Sequence, residues 1–228
     1  MENNLILRLE NLHREYPGSP PVQAVNGVSL EIHRGEFAAF IGPSGSGKTS
    51  LLNLCSGLDR PTSGSVIIDG RSINKMSNSE LSHFRAQNIG FVFQAYNLLP
   101  VLTAVENVEY TLVIRGENHH LARTKALEAL ASVGLDGKAD RFPNQLSGGQ
   151  QQRVAVARAL ACNPKIIFAD EPTANLDSTT ALQLITLFQE LNVKKNVTFL
   201  FSTHDSKLYK NVNTKIEMQD GKVLQISQ

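Results

Sequence analysis

The chain has 228 residues, enough for one large domain with a well-filled core and no need of disulfide or metal staples. Hydrophobic residues make up 41% and charged residues 19%, a balance that excludes disorder. Lysine and arginine number 22 against 21 acidic residues, and the net charge of +1 excludes the broad field needed to hold nucleic acid or an anionic membrane surface.

Taken in chain order, Leu5, Leu7 and Leu9 alternate with Arg8 and Glu10, which predicts a strand and not a basic, apolar leader. Further alternation at Val28, Leu30 and Ile32, at Phe37 to Ile41 and at Val66 to Ile68 gives a mainly β beginning, with a turn at Asp69-Gly70. After Phe40 an apolar run enters a glycine-rich turn, and Leu51, Leu52 and Leu54 follow at helical spacing. The order is strand, loop, helix. Ser77 with Glu80, and Thr103 with Glu106, make capping boxes that mark helix starts. From Thr103 to Ala161 the chain reads as helical, interrupted at Gly134, Pro143 and Ser147-Gly148-Gly149. Strands return at Lys165 to Ala169 and Val197 to Ser202, an amphipathic helix around Ala181 to Leu191 separates them, and Asp220-Gly221 predicts a final hairpin. The helical block therefore interrupts an α/β core, because strands of one sheet flank it. Cys55 and Cys162 fall in segments read as helices, belong to no CxxC or Cys/His cluster, and read as buried free thiols. No apolar run approaches the roughly 20 residues that span a bilayer, so a soluble, cytoplasmic chain is expected.

Five segments carry chemistry. Gly42-Pro43-Ser44-Gly45-Ser46-Gly47-Lys48-Thr49 matches the phosphate-binding pattern G-x-x-x-x-G-K-[ST], and its strand-to-helix setting lets successive backbone N–H groups wrap a phosphate chain. Lys48 would reach the β- and γ-phosphates, and the Thr49 hydroxyl would ligate Mg²⁺. Ile166 to Glu171 is an apolar strand ending in two carboxylates. Asp170 would hold the Mg²⁺ shell, while Glu171 would serve as general base or would position the attacking water. Consecutive strand residues face opposite ways, so the two acids are expected to take different tasks. Gln94 and His204 each follow an apolar strand, His204 after a polar turn at Ser202-Thr203. Alone, His204 reads more readily as a loop residue than a catalytic one and Gln94 means little; their shared placement beyond strand ends is what singles them out. Leu146-Ser147-Gly148-Gly149-Gln150 is a second helix start suited to an anion, with Ser147 as cap.

In that order these residues resemble the nucleotide-binding subunit of ATP-binding cassette (ABC) transporters across essentially the whole chain. The resemblance sets an A-loop aromatic at Tyr16, Walker A at Gly42 to Thr49, a Q-loop at Gln94, the signature at Leu146 to Gln150, Walker B at Ile166 to Glu171, a D-loop at Asn175-Leu176-Asp177 and a switch at His204. It implies an α/β P-loop NTPase core with a mixed sheet, an N-terminal antiparallel β subdomain and an inserted helical subdomain. Residues 1–93 and 165–228 would form the core with its β subdomain, and 94–164 the helical subdomain. It also implies a head-to-tail dimer in which each ATP lies between the Walker A of one copy and the signature of the other. Tyr16 would then stack on adenine, and Gly42, Ser44, Gly45, Ser46, Gly47, Lys48, Thr49 and Ser50 would cradle the phosphates. Thr49, Gln94 and Asp170 would serve Mg²⁺ and its waters, and Glu171 would polarise the attacking water. His204 would touch the γ-phosphate, as would Ser147 and Gly149 from the opposite copy, whose Gly148 and Gln150 would also belong to the nucleotide site, while Asp177 would join the two sites.

Phe91 to Glu109, with Tyr96-Asn97-Leu98-Leu99-Pro100 and Thr103 to Val108, looks most like the lipoprotein-releasing and macrolide-exporter (LolD/MacB) group. That likeness implies a transmembrane permease subunit docking near 94–110 and a place on the cytoplasmic face of the membrane, without direct insertion. Leu98, Leu99, Val101 and Leu102 suit docking and equally suit the core of the helical lobe. A transport ATPase and a regulatory ATPase that gates a cell-envelope complex would share all of these residues. The signature argues against a P-loop kinase. A DNA-repair ATPase is disfavoured because the stretch from Gln94 to Leu146 has no sustained heptads and no cysteine cluster.

Overall fold

A computed structural model describes residues 4–228. Strands β1 (Leu5–Tyr16) and β2 (Val22–His33) form a long antiparallel hairpin, which β4 (Ser63–Ile68) and β5 (Arg71–Ser72) extend to a four-stranded sheet in the order β2-β1-β4-β5. Its inner face buries Leu7, Leu9, Leu12, Val28, Leu30 and Ile32, the alternation read from the sequence.

The second sheet has the order β10-β9-β3-β8-β7-β6, built from β3 (Phe37–Ile41), β6 (Ile89–Val92), β7 (Ile166–Ala169), β8 (Thr198–Thr203), β9 (Thr214–Gln219) and β10 (Lys222–Ser227). Strands β9, β3, β8, β7 and β6 run parallel, and β10 closes the edge antiparallel to β9. Every residue of β3, β7 and β8 is buried, the continuous apolar run expected of parallel strands covered on both faces. Successive residues feed two separate cores. Phe37, Ala39, Ile167, Phe199 and Phe201 pack with helices α3 (Ala104–Ile114), α4 (His119–Ser132), α5 (Gly148–Leu160) and α6 (Ser178–Lys195). Ala38, Phe40, Ile166, Phe168 and Leu200 pack with α1 (Lys48–Cys55), α2 (Asn78–Asn88) and the antiparallel sheet.

Helix starts fall where the caps predict them. Both capping boxes form, at Ser77/Glu80 and Thr103/Glu106, and a third forms at Ser147/Gln150. Asp69-Gly70 and Asp220-Gly221 adopt positive φ at both positions, as a tight right-twisted hairpin turn requires. Adjacent strands β6 and β7 are joined through α3, α4 and α5, so the helical block does interrupt the sheet's strand sequence.

Three expectations change. Cys162 lies just past the end of α5 and is only partly buried, whereas Cys55 ends α1 and is fully buried. Ser202 and Thr203 are not a turn: both belong to β8 and are buried, because the strand runs on under the cleft described below. Strand alternation does not separate Asp170 from Glu171 either. Strand β7 ends at Ala169 and Glu171 turns to φ +41°, so both carboxylates approach the same loop and differ in task through different partners.

Candidate active site

In a parallel sheet the carboxyl ends of the strands share one edge. Here β3, β6, β7 and β8 deliver to that edge the loop Gly42 to Gly47, Gln94, the pair Asp170-Glu171, and His204. Together with the tip of the β1/β2 hairpin and the Asp220-Gly221 turn they enclose a cleft of about 720 Å³. Of the residues singled out by the motifs, Tyr16, Ser44, Gly45, Gly47, Lys48, Thr49, Ser50, Gln94, Glu171 and His204 line it.

The loop is held by close backbone approach. A Cβ on Gly47 would stand 2.3 Å from the Ala24 carbonyl oxygen, and Gly47 adopts φ +96°. A Cβ on Gly42 would stand 2.2 Å from the Met218 carbonyl oxygen. The Gly221 N–H donates to Ser46 O at 3.0 Å, tying the hairpin turn to the loop. Helix α1 begins at Lys48 and directs its first N–H groups, with their partial positive charge, into the cleft. The Lys48 ammonium donates to Gly42 O and Pro43 O, both at 2.9 Å, and is 6% exposed.

Asp170 and Glu171 are separately anchored. Asp170 Oδ1 accepts from Thr49 Oγ1 at 2.9 Å and from Ser202 Oγ at 2.7 Å. Ser202 Oγ in turn accepts from the Glu171 backbone N–H at 2.8 Å. Glu171 Oε1 lies 3.9 Å from Lys48 Nζ, and Glu171 Oε2 lies 3.0 Å from His204 Nδ1. An ammonium, N–H groups at a helix start and a hydroxyl–carboxylate pair form a set of groups suited to a polyphosphate with a hard, oxygen-seeking cation.

Gln94 reaches the cleft through a loop with two consecutive left-handed residues, Tyr96 at φ +59° and Asn97 at φ +51°. Arg158 on α5 donates to the carbonyls of both, and Asn175 Nδ2 donates to Gln94 O at 3.0 Å. Motif reading misses Arg158 and Ser202. Nothing in their spacing marks them, since only tertiary contact joins them to the cleft. It also misses Gln23, Ala24 and Asp220, which line the cleft because the antiparallel sheet folds over the loop.

Ser147, Gly148, Gly149, Gln150 and Asp177 do not line the cleft. Ser147 caps α5, and a Cβ on Gly149 would meet Thr180 Cγ2 at 2.5 Å, so Gly149 allows α5 to approach α6 within the chain, while a Cβ on Gly148 would stand 3.0 Å from the Tyr96 hydroxyl. Asp177 caps α6 by accepting from the Thr179 and Thr180 N–H groups at 3.0 Å each and from Thr180 Oγ1 at 2.6 Å. Those bonds hold its carboxyl below the usual range.

The parallel sheet with this loop between β3 and α1 defines a P-loop nucleotide-binding fold. The family described as ABC transporter matches residues 25–174. Two solved dimeric structures of the cassette MJ0796, described as a bacterial ABC transporter cassette and in one case bound to ADP and Pi, are each 42% identical to this chain. Each alignment covers 98% of both chains, with a TM-score of 0.90. CbiO1 from Clostridium perfringens, described as part of the ABC transporter complex cbiONQ, is 29% identical. That match covers 98% of this chain and 88% of CbiO1, with a TM-score of 0.88. The chain belongs to the ABC transporter family, as an ATP-binding cassette.

Proposed function

We propose that this cassette hydrolyses ATP within a head-to-tail dimer of itself and drives a transmembrane permease of the LolD/MacB type from the cytoplasmic face of the membrane. The observation that carries the hydrolytic part is the convergence of Lys48, Thr49, Glu171 and His204 on one cleft, with Asp170 bonded to Thr49 just beneath its lining. ATP is the substrate, and the Gly42-to-Ser50 segment holds its phosphates through backbone N–H groups and the Lys48 charge. The buried Ser46 hydroxyl, which has no hydrogen-bond partner among the described residues, fits a cradle built for further polar contacts. Tyr16 supports the adenine ring.

Thr49, Asp170 and Gln94 offer oxygen donors only, so the site fits Mg²⁺, which supplies charge neutralisation on the phosphates. Glu171 accepts a proton from the attacking water as the new bond to the γ-phosphorus forms and the bond to the bridging oxygen of ADP breaks. His204, within reach of Glu171, orients that carboxylate and contacts the γ-phosphate. Positioning and charge stabilisation supply most of the rate in such a reaction.

Ser147, Gly148, Gly149 and Gln150 face away from their own cleft and complete the partner's, with Asp177 linking the two sites. The dimeric relatives support this arrangement. Residues 94–164 act as the helical lobe that carries this surface. Within the 94–110 segment Leu99 is 41% and Val101 79% exposed, which suits contact with the permease, whereas Leu98 packs into the core. Among the described residues no helix is long and apolar enough to cross a membrane, so the permease supplies the attachment.

A mixing experiment tests the shared site. Lys48→Ala and Ser147→Arg should each abolish ATPase activity alone, while an equal mixture regains turnover because heterodimers hold one intact composite site. A mixture as inactive as its components would contradict the head-to-tail arrangement.

A further inference from the structure

Tyr16 sits at the end of β1, opposite Val22 across the hairpin, and lines the cleft, whereas Arg14, Asp59 and Arg60 line not the cleft but a separate, smaller hollow. The Arg14 guanidinium carbon, absent from the cleft lining, stands 4.4 Å from the centre of the Tyr16 ring. The Tyr16 hydroxyl donates to Asp59 Oδ2 at 2.9 Å, and the same oxygen lies 2.9 Å from Arg14 Nε. One carboxylate therefore holds both the hydroxyl of the ring and the cation over its face. All three groups are shielded, the Arg14 and Asp59 side chains being 24% and 25% exposed, so the ion pair is less screened than a surface pair.

Asp59 is itself fixed to the phosphate loop's own helix. Its N–H and that of Leu58 donate to Asn53 O in the last turn of α1, at 3.2 and 2.9 Å. The Arg60 N–H donates to Asp59 Oδ1 at 2.7 Å, leaving Oδ2 for Tyr16 and Arg14. Helix α1, which starts at Lys48 in the phosphate cradle, thus holds at its far end, through Asn53, the loop residue that places the aromatic ring.

We infer that Arg14 and Asp59 are positioning residues for nucleobase binding: they clamp Tyr16 from behind at a set distance from the phosphate loop, with its cleft-side face free for the base. The inference rests on the reading of Tyr16 as the adenine support. A ring already held in place loses less rotational freedom when a base stacks on it. A guanidinium on the opposite face also anchors the ring without competing for the stacking surface.

The test compares a base-bearing ligand with a base-free one, MgADP against magnesium pyrophosphate, by calorimetry on the full chain. Asp59→Ala and Arg14→Gln should each weaken MgADP about three- to tenfold, the scale of freezing one side chain, and leave pyrophosphate affinity unchanged. Tyr16→Phe, which keeps the ring and removes the hydroxyl, should weaken MgADP no more than Asp59→Ala, which also releases Arg14, and the double variant should be no weaker than Asp59→Ala alone, since the bond between them is already broken there. Equal loss for both ligands would mean a general structural role and overturn the inference. Tighter MgADP binding in Arg14→Gln would also overturn it, by showing that Arg14 occupies the base's place. If Tyr16→Ala weakens MgADP while the Arg14 and Asp59 variants do not, the clamp fails and the stacking stands. No effect of Tyr16→Ala would remove both.

Discussion

Glu171 Oε2 stands 3.0 Å from His204 Nδ1, at the carboxyl ends of the neighbouring strands β7 and β8. The contact exists because Glu171 leaves the strand with φ +41° and its N–H is held by Ser202 Oγ, which turns the side chain into the cleft. A carboxylate so fixed between His204 and Lys48 is oriented before any water arrives.

Replacing that carboxylate by its amide keeps the shape and removes the proton acceptor. Glu171→Gln should bind ATP at close to parental affinity and turn it over at least about 100-fold more slowly, the usual size of a general-base contribution. Phosphate release under saturating ATP checks this, and near-parental turnover would remove Glu171 from the role of base.

Gly47 leaves no room for a side chain. Gly47→Ala would set a Cβ 2.3 Å from the Ala24 carbonyl oxygen at φ +96°, so the loop must shift away from the antiparallel sheet. The expected result is loss of measurable ATP binding and a stability cost of about 1–3 kcal/mol from backbone strain alone. Denaturant unfolding and nucleotide titration report the two effects separately.

Arg158 holds the two left-handed residues that follow Gln94, and burial pushes its guanidinium pKa down. Arg158→Lys keeps a charge and loses the fork, leaving at least one carbonyl without its donor. Stability should fall by about 1–3 kcal/mol. Turnover should fall more than ATP affinity, because the displaced group is Gln94 and not the phosphate loop. Paired measurements of kcat and Kd on the variant decide.

Helix caps add to the acid sensitivity of the fold, beside Asp69, whose carboxyl, against the opposing pull of burial, is lowered by Lys165 and Arg34. Hydrogen bonds from the cap residues Ser77 and Thr103 hold Glu80 and Glu106 below the usual range, and bonds from Thr180 do the same for Asp177. Carboxyls whose pKa is lowered on folding stabilise the fold above their unfolded pKa, and that contribution is lost as pH falls through the lower folded value. Unfolding midpoints should therefore be flat from neutral pH down to about pH 4.5 and then decline. In an Asp177→Asn variant, which keeps a cap without a titrating charge, the decline should be shallower.

Much of this was legible beforehand because it is local. The phosphate loop, the caps at Ser77, Thr103 and Ser147, and the turns at Asp69-Gly70 and Asp220-Gly221 are each written in a few adjacent residues. What depended on contact between distant segments was not. Arg158 under the Gln94 loop, Ser202 between Asp170 and Glu171, and Asp59 behind Tyr16 join parts of the chain that no spacing rule connects. The alternation argument at Asp170-Glu171 failed for the same reason: the strand ends one residue before the pair, where the loop and not the pleat sets direction.

The central claim is a composite site shared between two copies, and the mass of Glu171→Gln in solution, measured by light scattering with and without Mg-ATP, tests it most directly. A shared site requires a monomer without nucleotide and a dimer with Mg-ATP, with Ser147→Arg added to the same chain restoring the monomer. A chain that binds ATP and remains a monomer, or a dimer indifferent to Ser147→Arg, would contradict it.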